Sequence, residues 1–213
     1  KIPLAQGGSI VIQQTEAKTA INSAAYGRDH EDFTRLYAQT YFRVTGEAIR
    51  RHDPNHLILG NRHAGGWGAH GKIVLQSYGR RYVDVMSANC YGSDFHGRLE
   101  GYYQHARMPI LNGEYNWVGF VNWDKFSKGE AFTPEELEKN ARLALAVTEK
   151  AFTHPALVGY TWFKWYGGGQ APRMSGGVVT DAGEVQEYNA RLFKRLHARL
   201  EGVRTGELEP AQA

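Results

Sequence analysis

The sequence has little of what would tie a protein to a disulfide scaffold, a membrane or nucleic acid. Its 213 residues include one cysteine, Cys90, which excludes an internal disulfide framework and a cysteine-based zinc site. No apolar run approaches the ~18 residues that signal a membrane-spanning helix. Lys and Arg number 25 against 22 Asp and Glu, a net charge of only +3, and no dense basic block occurs, so nucleic acid is a poor partner. The opening Lys1-Ile2-Pro3-Leu4-Ala5 is not a signal peptide, and a secreted or periplasmic location stays open. His63 and His70 have no carboxylate partner at a ligand spacing, so no metal or cofactor is expected. Gly65-Gly66, Gly167-Gly168-Gly169 and Gly176-Gly177 are loop glycines. No Lys-Ser or Lys-Thr follows them, and no Gly-x-Gly-x-x-Gly opens a helix, so they are not phosphate cradles.

What the chain does have is enough length for one sizeable core and a set of aromatics, including 5 Trp and 12 Tyr, several of them just behind apolar runs. Residues 1–30 are the hardest to read. From Asp32 to about Arg51, Phe33, Leu36, Tyr37, Tyr41, Val44, Ala48 and Ile49 recur at three- and four-residue steps, one apolar stripe of a helix capped near Asp29 or His30. Asp53-Pro54-Asn55 stops it. Apolar runs at His56–Gly60, Tyr82–Asn89, Met108–Glu114 and Leu157–Trp165 read as strands. Helices are expected at Ile73–Tyr78, Leu99–His105, from Thr133-Pro134-Glu135-Glu136 to about Phe152, and over Glu184–Leu200. Tyr115–Phe132 reads as a long loop, and residues 201–213 as a flexible tail. Strands alternating with helices define an α/β protein with a parallel sheet. Polar and aromatic residues gather just after the strands, which in a (β/α) barrel is the C-terminal face where sites form.

Four segments carry a family resemblance: Asp53-Pro54-Asn55-His56-Leu57; Leu59-Gly60-Asn61-Arg62; Val83 through Tyr91; and Pro109-Ile110-Leu111-Asn112-Gly113-Glu114-Tyr115. In this order they resemble the second half of the clan A retaining glycoside hydrolases, and in particular the beta-agarase-like enzymes. The resemblance runs over about residues 33–200 and implies a (β/α)8 TIM-type barrel. Residues 31–200 then form its C-terminal portion, about strands five to eight. It also implies that Glu114, at the end of strand seven, is the nucleophile. The family's acid/base, a Glu after Asn at the end of strand four, has no counterpart in the first 55 residues. Glu16, Asp94, Asp124 and Glu130 are poor substitutes, since none ends a strand of the right type. The expected partners are therefore an oligo- or polysaccharide, with an agarose-like galactan implied by the resemblance, and either the other half of the barrel or a second copy of the chain.

A retaining enzyme needs one carboxylate to attack the anomeric carbon and a second group about 5–5.5 Å away to move the proton. The attacking carboxylate needs donors or a cation beside it to stay ionised. Arg62 could be that cation, with Asn61 and His63 on sugar hydroxyls or on Glu114, against the alternative of a solvated loop. Asn89 and Tyr91 share one face of the second strand's end, and Tyr91 could donate to Glu114 or be a rim tyrosine of the core. The resemblance also implies a Trp at the end of strand eight that floors the cleaved sugar's subsite, a role open to Trp162 or Trp165. Trp117, with Trp123 and Trp67, would extend a cleft. The competing reading of the same residues is a non-catalytic or degenerate carbohydrate-binding protein.

Overall fold

The structure is a computed structural model and describes residues 23–64, 71–79, 81–117, 123–167 and 177–212. In chain order these form helix α1 (Ala24–His52), strand β1 (Arg62–Ala64), α2 (Gly71–Gln76), β2 (Met86–Asn89), α3 (Phe95–Ala106), β3 (Ile110–Tyr115), α4 (Trp123–Lys128), α5 (Pro134–Phe152), β4 (Leu157–Trp162) and α6 (Glu187–Thr205). The four strands are parallel and lie side by side in sequence order. Helices pack in series, α1 on α2, α2 on α3, α3 on α5 and α5 on α6. A sheet that never reverses its order, with one run of helices outside it, is an arc of a (β/α) barrel.

The core lies between sheet and helices. Met86, Ala88, Cys90, Ile110, Tyr115 and Leu157 meet Phe95, Leu99, Ala144, Leu192 and Leu196, all with 2% or less of their surface exposed. Helix α5 begins as its sequence predicts. Thr133 Oγ1 accepts from Glu136 N, and the Glu136 carboxylate accepts from Thr133 N, a reciprocal capping box with Pro134 at the first turn.

Several boundaries differ from expectation for local reasons. Helix α1 starts at Ala24, because Ser23 caps it by accepting from Tyr26 N at 3.1 Å. Its periodic stripe faces outward: Phe33 is 67% and Tyr37 65% exposed, while Ala38, Phe42 and Gly46 turn inward. Gly46 is required there, since a Cβ would lie 2.8 Å from the Tyr82 backbone. The first strand is displaced from His56–Gly60 to Arg62–Ala64. Gly60 sits at φ +63, which an extended run cannot hold, and only Ile58 of the apolar run is buried, with Leu57 and Leu59 exposed. The segment read as a loop contains α4. The chain beyond Glu201, expected to be loose, continues in α6 to Thr205 and then folds back. Leu208 N donates to Gly202 O, and Ala211 N to the buried carboxylate of Glu149, which Arg199 also pairs with.

The ends of α1 and β2 are tied together. Asp84 accepts from Ile58 N at 2.7 Å and pairs with Arg50. These donors hold its carboxyl below the usual 3.8, with the Ile58 amide the largest cause. At the other end of β2, Asn112 reaches across from β3 and grips Cys90, accepting from its N–H at 2.9 Å and donating to its carbonyl at 3.0 Å.

Candidate active site

Strand alternation assigns the two faces of the sheet. On the helix side lie Ala88, Cys90, Asn112, Tyr115 and Trp162. On the inner side lie Arg62, Ser87, Gly113 and Thr161. A Cβ on Gly113 would meet Arg62 Cδ and Ser87 Oγ at 2.5 Å, and the Thr161 hydroxyl donates to the Gly113 carbonyl at 2.6 Å. The alternation breaks where it matters. In the β2–β3 ladder Ala88 pairs with Asn112 and Asn89 with Glu114, leaving Gly113 as an extra residue. In the β3–β4 ladder Asn112 pairs with Tyr160 and Tyr115 with Trp162, so Gly113 and Glu114 together face Thr161. This bulge places two successive residues on the inner face and turns Glu114 toward Arg62 and Tyr91.

There the Glu114 carboxylate is 18% exposed and has two partners. Arg62 Nη2 lies 3.1 Å from Oε1, and Tyr91 OH donates to Oε2 at 2.8 Å. Arg62 Nη1 also donates to the Gly113 carbonyl at 3.1 Å, so one planar guanidinium spans the carboxylate and the preceding peptide. Burial, and next the carboxylate it donates to, push the Tyr91 phenol above its ordinary range, so Tyr91 keeps its proton and remains a donor. Asn89, register partner of Glu114, is 8% exposed, and its Oδ1 accepts no hydrogen bond among the described residues.

The structure brings Glu114, Arg62, Tyr91 and Asn89 together. It places the other expected residues elsewhere. His63 faces the helix side and hydrogen-bonds Tyr78 OH, its burial lowering its pKa. Asn61 is exposed beside α1, where its Oδ1 accepts from Tyr41 and its carbonyl from Tyr78. Trp117 is fully buried, its ring tilted against both Trp162 and Phe193. Trp162 shares that cluster behind the sheet. The exposed aromatics at the end of β4 are instead Phe163 at 48%, Trp165 at 67% and Tyr166 at 51%. Trp67 lies outside the described residues, as does Glu16, and Trp123 opens α4. Asp124 pairs with Lys128, Asp94 precedes α3, and Glu130 is exposed. Among the described residues no cluster of three His, Cys, Asp or Glu could hold a metal, and no helix is long and apolar enough to cross a membrane. Asn112 and Thr161, which hold the strand that carries Glu114, were not legible as site residues, because both act on backbone groups.

A parallel arc of four strands with helices outside it is the α/β fold of part of a TIM barrel. Within that class the chain is similar to beta-agarase. It is 27% identical over 134 residues to beta-agarase A of Vibrio sp. (strain JT0107), a match covering 61% of this chain and 13% of that protein. Its fold matches that of an exo-beta-agarase at a TM-score of 0.65 and 20% identity, covering 85% of this chain and 25% of the other. It also matches an agarase at 0.64 and 20%, covering 86% and 26%. The chain thus spans 13% of the curated relative and about a quarter of each of these solved chains. No protein-family profile matches it.

Proposed function

We propose that this chain is the nucleophile-bearing part of a retaining glycoside hydrolase that cleaves a polysaccharide, with an agarose-like galactan as substrate. The observation that carries the reading is Glu114, a carboxylate at a strand end with a cation on one oxygen and a phenol on the other. In the first step one Glu114 oxygen attacks the anomeric carbon as the bond to the leaving oxygen breaks, and a glycosyl ester forms. Water then cleaves that ester. Arg62 and Tyr91 hold and aim the carboxylate, and the buried Asn89 lies beside it as its register partner. Of the exposed aromatics, Phe163 and Trp165 rather than Trp162 supply the apolar surface for the sugar's C–H face. The second carboxyl, about 5–5.5 Å from the nucleophile in retaining enzymes, belongs to barrel strands other than these four. The substrate class rests on similarity to beta-agarases.

The test is covalent trapping. A 2-deoxy-2-fluorogalactoside with a dinitrophenolate leaving group departs without a proton, so labelling reads the nucleophile and not its missing acid partner. We expect the mass increment on the peptide holding Glu114 and none in Glu114→Gln. A label on another residue, or one that survives Glu114→Gln, overturns the assignment. Oligosaccharide binding with no label favours a non-catalytic carbohydrate-binding protein.

A further inference from the structure

We infer that Thr161 is a positioning residue for Glu114, acting through the Gly113 carbonyl and Arg62; the role presumes the nucleophile reading above. At the bulge β3 has lost its regular ladder on both sides, since Gly113 is unmatched in β2 and the Gly113–Glu114 pair faces the single residue Thr161 in β4. A bulge leaves its extra residue unpaired and disrupts the ladder locally, so side chains that bind its peptide help fix its direction. Two do so. The Thr161 hydroxyl donates to Gly113 O at 2.6 Å, and Arg62 Nη1 donates to the same oxygen at 3.1 Å while Nη2 holds Glu114 Oε1 at 3.1 Å. The direction of the Gly113 carbonyl therefore helps set where Arg62 lies, and Arg62, with Tyr91 on the other oxygen, sets where the carboxylate lies. Among the described residues no other polar contact confines the guanidinium as closely. Arg62 is 53% exposed, and its Cδ passes over Gly113 only because that residue has no Cβ. Reacting groups must be held within about 0.5 Å of productive geometry, so a hydroxyl bound to the carbonyl of the preceding residue has leverage on the reacting atom.

The experiment uses the intact chain with 15N-arginine labelling and compares Thr161→Val, of the same shape without the hydroxyl, with Thr161→Ser, which restores it. The wild type is expected to show resolved, slowly rotating Arg62 Nη signals, assigned by their loss in Arg62→Lys. Thr161→Val should average them with an unchanged thermal midpoint, and Thr161→Ser should bring them back. The trapping rate constant at saturating fluorosugar should fall about 2- to 10-fold in Thr161→Val, the worth of one hydrogen bond, with the half-saturating concentration unchanged. Resolved Arg62 signals that persist in Thr161→Val, signals absent from the wild type, or equal loss in valine and serine variants each overturn the role. The nitrogen signals do not depend on turnover, so they judge Thr161 even if trapping labels a residue other than Glu114.

Discussion

Replacing Asn112 by leucine tests how β3 is seated. The side chain is completely buried and makes both of its bonds to one residue, accepting from Cys90 N at 2.9 Å and donating to Cys90 O at 3.0 Å. Leucine is close in shape, so little cavity opens. Both partners vanish, however, and Cys90 is itself fully buried, so water cannot take their place. Each buried backbone group left unsatisfied costs about 1–3 kcal/mol, and two together cost about 2–6 kcal/mol. That is a large share of the ~5–15 kcal/mol that holds a typical domain folded. With a urea slope of about 2 kcal/mol/M, the unfolding midpoint should fall by roughly 1–3 M. Tryptophan fluorescence during urea titration measures it, with Asn61→Leu as the control. Asn61 is exposed and among the described residues its Oδ1 accepts from the Tyr41 hydroxyl alone, so its loss should cost under about 1 kcal/mol. An Asn112→Leu midpoint within about 0.5 M of the control refutes the reasoning.

Two further outcomes follow from other contacts. Asp84 is held below its usual pKa of 3.8 by the Ile58 amide and by Arg50. A depressed carboxylate stabilises the fold above its unfolded-state pKa, and that contribution is lost as pH falls through the folded-state value. Asp84→Asn should therefore lower the urea midpoint at neutral pH, and the gap from wild type should close below about pH 3.8; a gap that stays constant into that range contradicts the pairing. On α1 the outward stripe of Phe33, Leu36, Tyr37 and Val44 should make the isolated chain self-associate, and Phe33→Glu with Leu36→Glu should shift sedimentation toward monomer. A wild-type chain that is already a monodisperse monomer at high concentration refutes this.

Much of the layout was legible because it depends on short-range signals. Thr133-Pro134-Glu135-Glu136 contains every element of a capping box, and α5 begins there. The four apolar runs and their alternation with helices gave the parallel order. Of the candidate site, Glu114, Arg62, Tyr91 and Asn89 were named from strand-end positions, and these four come together. The failures have a common cause. Periodicity records that a residue is apolar but not which neighbour covers it, so the α1 stripe predicts the helix but not its buried face, which Ala38, Phe42 and Gly46 form. Alternation is reliable only in an unbroken ladder, and the bulge at Gly113 is invisible in Asn-Gly-Glu. His63 and Trp117 were grouped with the site by proximity in sequence, but His63 faces Tyr78 and Trp117 packs on Phe193. Asn112 and Thr161 gave no signal because they bind main-chain atoms and show no charge pattern.

The solitary cysteine also has a practical consequence. Cys90 is fully enclosed, and burial pushes its thiol up to about 12, so at neutral pH it is almost entirely protonated and out of a reagent's reach. Its main chain is what Asn112 grips, one strand away from Glu114. A thiol-reactive label that enters this protein must therefore report an opening of the core between the sheet and its helices. The chain has its own clock for the breathing of the layer behind the strands that carry the site, and the mass of the label reads it.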